Sequence, residues 1–148
     1  MRYPQIVVYE RDGRLAELLR RLAGERRWKI REPRRLELCL RMLDGAGLSV
    51  FVLRAGTDIV REMTLMDEVL WLCPEVATVV VSDGNQPALD CLAWELGVAY
   101  VHASLTSRTG LPDLVSHMMD SLVSRNPEGR KQRVERQLLS SGDESHVI

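Results

Sequence analysis

The sequence predicts an α/β domain built on a doubly wound parallel sheet. Short apolar runs at Ile6-Val7-Val8, Val50-Phe51-Val52-Leu53 and Thr78-Val79-Val80-Val81 are too brief for globular helices and rich in β-branched residues, as strands buried on both faces are. Between them lie segments with apolar residues at helical spacing, so strand and helix alternate along most of the chain. Parallel neighbours need crossover helices, and the alternation supplies them.

The first strand covers Gln5 to Glu10. Asp12 stands where a helix N-cap belongs, and Leu15, Leu18, Leu19 and Leu22 follow at the spacing of an amphipathic helix. Trp28 to Glu32 alternates Trp28 and Ile30 with Lys29 and Arg31, the pattern of an edge strand with one polar face. Pro33 suits the first turn of a second helix, where its missing N–H is not needed. Leu36, Cys39, Leu40 and Leu43 give that helix its buried stripe, and Asp44-Gly45 ends it.

The stretch Leu48 to Gly56, LSVFVLRAG, is the central strand, and it ends in the charged Arg54. Thr57 or Asp58 caps a third helix, with Ile59, Met63, Met66, Val69, Leu70 and Cys73 inward and Pro74 as its stop. The fourth strand is Thr78 to Ser82, followed by an Asp83-Gly84-Asn85 turn. Pro87 opens a fourth helix with Leu89, Leu92, Ala93 and Leu96 inward and Gly97 as C-cap. Val98 to His102 is the fifth strand. After a polar loop, Ser104 to Gly110, the last helix uses Leu111, Leu114, Val115, Met118, Leu122 and Val123.

Five strand-then-helix units, with edge character at the second strand, predict the flavodoxin-like order 2-1-3-4-5 in a three-layer α/β/α sandwich. Residues 1–124 form this domain. Residues 125–148 are mostly polar, with one weak amphipathic turn at Val134, Leu138 and Leu139, and read as a flexible or partner-ordered tail.

At 148 residues and 45% hydrophobic, the chain has the size of one domain with a real core. It has no long apolar segment and its N-terminus lacks the features of a signal peptide, so a cytoplasmic protein without membrane association is expected. Cys39, Cys73 and Cys91 are odd in number and widely spaced, which suggests packing thiols rather than a disulfide or metal framework. The net charge of −1 hides a polarity of +6 over residues 1–54, −8 over 55–124 and +1 over 125–148. Such a dipolar surface can orient a protein partner.

In this topology Glu10, Asp12, Arg54, Ser82, Asp83 and His102 converge on the carboxyl edge of the sheet, where ligands collect in open α/β folds. No Gly-rich phosphate loop is present, and Glu10 and Asp12 would repel phosphate after the first strand, which argues against nucleotide and flavin sites. Ser82, Asp83 and His102 contain the residue types of a hydrolytic triad, but Ser82 lies in no nucleophile elbow. His117 and His146 have no partner at ligand spacing. Glu10 and Asp12 could hold a divalent cation for acyl-phosphate chemistry, but the third carboxylate is missing.

Residues 5–124 nevertheless resemble the receiver domain of bacterial response regulators. IVVYERDGRLAELLRRLA looks like that family's first strand, acidic turn and first helix. LSVFVLRAG lies where its phosphoacceptor strand belongs, and WLCPEVATVVVSDGNQPALDCLAWELGVAYVHASL is similar to its fourth strand, fourth helix and fifth strand. The departures fall on the functional positions. The paired acids become Tyr9-Glu10, with Asp12 slightly beyond. The phosphoacceptor aspartate falls on Arg54, or on Leu53 or Ala55 after a one-residue slip. Ser82 keeps the switch Ser/Thr position, while the phosphate-binding lysine falls on His102 or Ala103. The only lysines are Lys29 and Lys131, so no alignment restores it.

The resemblance therefore implies an atypical receiver, a pseudo-receiver without the phosphoacceptor aspartate, that acts in two-component signalling as a non-catalytic interaction module. Arg54 can pair with Glu10 or Asp12, or bind an anion. No cofactor or metal is expected. The fourth helix, fifth strand and fifth helix form the surface receivers commonly use, with Trp94, Tyr100, Met118 and Met119 as anchors for a protein partner or a homodimer. Nucleic-acid binding through Arg20, Arg21, Arg26, Arg27, Arg31, Arg34 and Arg35 lacks interleaved aromatics beyond Trp28. The competing reading is a small ligand-binding domain or enzyme whose anion site uses Arg54, Ser82 and His102.

Overall fold

The computed structural model describes residues 3–83, 86–103 and 110–125. Its elements alternate in chain order: β1 (Gln5–Tyr9), α1 (Arg14–Arg26), β2 (Lys29–Arg31), α2 (Leu36–Leu43), β3 (Ser49–Arg54), α3 (Ile59–Leu72), β4 (Ala77–Ser82), α4 (Pro87–Leu96), β5 (Tyr100–Ala103) and α5 (Gly110–Arg125). All neighbouring strands are parallel, in the order β2-β1-β3-β4-β5. The flavodoxin-like arrangement is therefore the observed one.

Strand alternation divides the core in two. Val7, Phe51, Leu53 and Val80 point to one face, where α2, α3 and α4 cover them. Ile6, Val8, Val50, Val52, Val79 and Val81 point to the other, under α1 and α5. Both faces of the central strands are thus apolar, which explains continuous rather than alternating hydrophobic runs. Val50, Phe51, Val52 and Leu53 are completely buried.

At the amino edge, the buried Gln5 side chain donates to Met42 O and to Ser49 Oγ, both at 2.9 Å, and ties β1 to β3 and α2. At the same edge, Asp44 and Gly97 are the C-caps of α2 and α4, and Gly97 takes the left-handed φ of 99° that favours glycine. Asp58 caps α3 by accepting from Arg61 N at 3.3 Å.

Several expectations need correction. Pro33 is not in the first turn of α2; the N-cap is Arg35, in extended backbone, and Pro33 packs as a buried residue of the loop. Leu92 and Val123 are 38% and 44% exposed, because each falls outside the narrow stripe of its helix that meets the sheet. Met119 is completely buried among α1, β3 and β4 residues, so it is core and no surface anchor. Conversely, Leu65 and Glu62 are buried on α3 where no inward role was expected. Most of the Ser104 to Gly110 loop, the Gly84-Asn85 part of the turn and the tail beyond Arg125 lie outside the described residues.

Candidate functional site

The carboxyl ends of β1 and β3 and the loops after them enclose a cavity of about 360 Å³, whose polar walls include Glu10, Asp12, Arg54, Asp58, Glu62 and Asp83. Glu10 leaves β1 and turns toward the start of α1. Its two carboxylate oxygens accept from Leu15 N at 2.8 Å and Ala16 N at 2.7 Å, two donors that no earlier helical carbonyl can satisfy. The N-cap of α1 is Gly13, at a left-handed φ of 75°, with no side chain to offer.

Asp12 is therefore not the cap that the sequence suggests. A longer acid at the strand end reaches the helix start, and Asp12 is left to accept from Arg14 N at 3.1 Å. Its other oxygen faces Arg54. Arg54 Nη1 donates to Asp12 Oδ2 at 3.0 Å, and Nη2 donates to Asp83 Oδ1 at 3.4 Å. The guanidinium side chain is only 23% exposed, between acids that are 38% and 50% exposed.

The two neighbouring acids titrate in opposite directions. Burial pushes Glu10 above the ordinary glutamate value; the Leu15 and Ala16 N–H groups act against that rise, and Asp12 beside it adds to it. Asp12 is held below the ordinary aspartate value, first by the Arg14 N–H and then by Glu10 and the Arg54 charge.

Glu62 is the residue that sequence reasoning missed. It is 2% exposed, and its Oε1 accepts from Gly56 N at 3.0 Å and Asp58 N at 3.3 Å. The carboxylate thus braces the loop that leaves β3 directly after Arg54. One signal was available: Glu62 lies three residues after Ile59 and four before Met66, inside the register of the buried stripe. Its spacing from Asp58 is four rather than the three of a capping box, so the usual template passes over it.

Ser82 and His102 stand outside the cavity lining. Ser82 is completely buried, and its Oγ has no hydrogen-bond partner among the described residues. His102, on the edge strand, pairs in register with Val81, and its ring lies 6.5 Å from that of Tyr100. The fold thus gathers Glu10, Asp12 and Arg54 with Asp83 around one cavity, which Ser82 and His102 do not line. Among the described residues no group of three or more His, Cys, Asp or Glu side chains could hold a metal ion. The Arg54 cation among these carboxylates does not fit a divalent cation.

On the flank, Trp94 is 51% and Tyr100 41% exposed, and their rings meet edge to face at 6.1 Å. Met118 is half-buried. No helix among the described residues is long and apolar enough to cross a membrane.

The fold is that of CheY-like receiver domains. A CheY-like response-regulator receiver domain from Methanospirillum hungatei JF-1 superposes with a TM-score of 0.70 at 8% identity, covering 84% of this chain and 99% of that one. The signal receiver domain of an HD domain-containing protein from Pseudomonas fluorescens Pf-5 gives 0.70 at 14%, covering 84% and 100%. A putative pilus assembly protein from Burkholderia thailandensis E264 gives 0.61 at 20%, covering 80% and 98%. No protein-family model matches the sequence, and no curated protein matches it.

Proposed function

We propose that the chain is a pseudo-receiver: a signalling or scaffolding module that binds another protein and does not depend on phosphorylation. The observation that carries this reading is the Arg54 guanidinium between Asp12 and Asp83. It lies at the end of β3, where the receivers this fold resembles keep their phosphoacceptor carboxylate. A guanidinium offers no nucleophilic oxygen, and its charge takes the place a metal ion would fill among the acids. The anion-site alternative loses its cation to the same pairs, and Ser82 Oγ is buried away from the cavity.

Incubation with acetyl phosphate and Mg²⁺, followed by intact-mass analysis, tests the reading. The expected mass is unchanged. A phosphoryl adduct mapping to Glu10, Asp12 or Asp83 would refute phosphorylation independence.

Function then resides on a surface. Trp94 on α4 and Tyr100 on β5 provide an exposed aromatic pair, and aromatic side chains dominate binding at protein interfaces. A homodimer through this same surface would compete with the partner for it. Trp94→Ala should weaken partner capture while leaving the thermal melt nearly unchanged.

A further inference from the structure

The outer face of α3 carries an exposed aromatic residue besides the Trp94–Tyr100 pair. Trp71 is 80% exposed and Leu72 65%, at the end of the helix nearest the amino edge of the sheet. Trp71 lies on the side of α3 opposite the Glu62, Met66 and Val69 stripe, away from the core that the described residues form. Glu68 stands one turn before it and Glu75 four residues after, both exposed and without an ion-pair partner among the described residues.

The opposite end of the same layer is basic. Helices α2 and α3 pack side by side on one face of the sheet, joined by the Arg61–Glu37 pair at 2.7 Å. Arg34 and Arg35, just before the start of α2, line a shallow depression beside that pair, both exposed and neither ion-paired among the described residues. Both helices follow strands of a parallel sheet and so run the same way. The layer therefore has an arginine-rich end at the carboxyl edge, and an acidic end bearing Trp71 at the amino edge.

We propose that this α2–α3 layer is the interface of a two-fold homodimer. The layers of two copies meet antiparallel, and Trp71 and Glu68 of each copy lie against Arg34 and Arg35 of the other. A two-fold axis uses each patch once in each direction, so a layer with opposite charges at its two ends is self-complementary only in this orientation. Arginine over indole, with a carboxylate beside it, combines a cation–π contact with a charge-assisted hydrogen bond. The same layer carries both halves of the match, which favours a second copy over an unrelated basic protein. The Trp94–Tyr100 surface stays free for a different partner.

Sedimentation of the full chain across a concentration series, at low and high salt, tests this. The expected result is a dimer that dissociates as salt rises, because salt screens solvent-exposed charge pairs such as those that would join the two layers. Trp71→Ala, Glu68→Arg and the pair Arg34→Glu with Arg35→Glu should each raise the dissociation constant roughly tenfold or more. Combining Glu68→Arg with the two arginine reversals in one chain should restore association, which a merely structural defect would not allow. A monomer at every concentration overturns the proposal. So does a dimer lost in Trp94→Ala but kept in Trp71→Ala. A monomer whose Trp71 fluorescence responds to an arginine-rich peptide also overturns it, since the occupant is then a basic partner rather than a second copy.

Discussion

Arg54 Nη1 stands 3.0 Å from Asp12 Oδ2, so the end of the central strand is bonded to the loop after the first. The same guanidinium reaches Asp83 after β4, and one side chain thereby links three neighbouring loops. Each pair is partly exposed and worth no more than about 1 kcal/mol alone. Their joint effect is to neutralise a rim that would otherwise hold uncompensated acids.

Arg54→Ala should therefore lower stability by roughly 1 kcal/mol, and Mg²⁺ should raise the melting temperature of the variant more than that of the parent. Thermal melts over a Mg²⁺ series check both parts. Equal, negligible responses to Mg²⁺ would show that Arg54 does not substitute for a cation.

Glu62→Ala removes the acceptor for two backbone N–H groups in the loop beside Arg54 and should cost roughly 2–3 kcal/mol in urea denaturation. Glu62→Gln keeps a carbonyl oxygen in place and should lose distinctly less. If the two variants were equally unstable, the carboxylate would be acting by charge rather than as an acceptor.

Glu10 supplies a pH signature. Its value in the folded protein is raised above 4.5, chiefly by burial, so the folded state holds this proton more tightly than the unfolded chain does. The stability associated with that proton is present below 4.5 and is lost as pH rises through the raised value. Relative to Glu10→Gln, which cannot ionise, the parent should lose stability across that window. Urea midpoints at a series of pH values measure the difference, and a constant difference would refute the assignment. Asp12, held low, works in the opposite sense: its contribution fades only as pH falls below the ordinary aspartate value.

The thiols should separate cleanly. Cys91 is exposed, whereas Cys39 and Cys73 are buried and burial pushes the Cys39 thiol up to about 12. Ellman's reagent should titrate one thiol in the native protein and all three in denaturant.

Most of the fold was legible because it is written in local period. The apolar runs of β1, β3 and β4 announced strands buried on two faces, and the stripes of α1 and α3 announced which sides face inward. The helix starts were less legible, since capping depends on which side chain reaches the free N–H groups. Asp12 had the expected position for α1, yet Glu10 had the reach. Met119 was misplaced on the surface because its apolar neighbour Met118 offered an equally good inward choice. Only the packing of α5 on the sheet, which buries Leu111, Val115 and Met119, selects between them.

The sequence by itself determined the strand order, the inward stripes of the helices and the presence of Arg54 at the end of the central strand, because these follow from periodicity and residue identity. Only the tertiary structure decided that Arg54 binds Asp12 and Asp83 while Glu10 serves α1, and that Glu62 is buried behind them. These choices are made between loops far apart in the chain, where distance and burial, rather than residue type, settle which donor meets which acceptor.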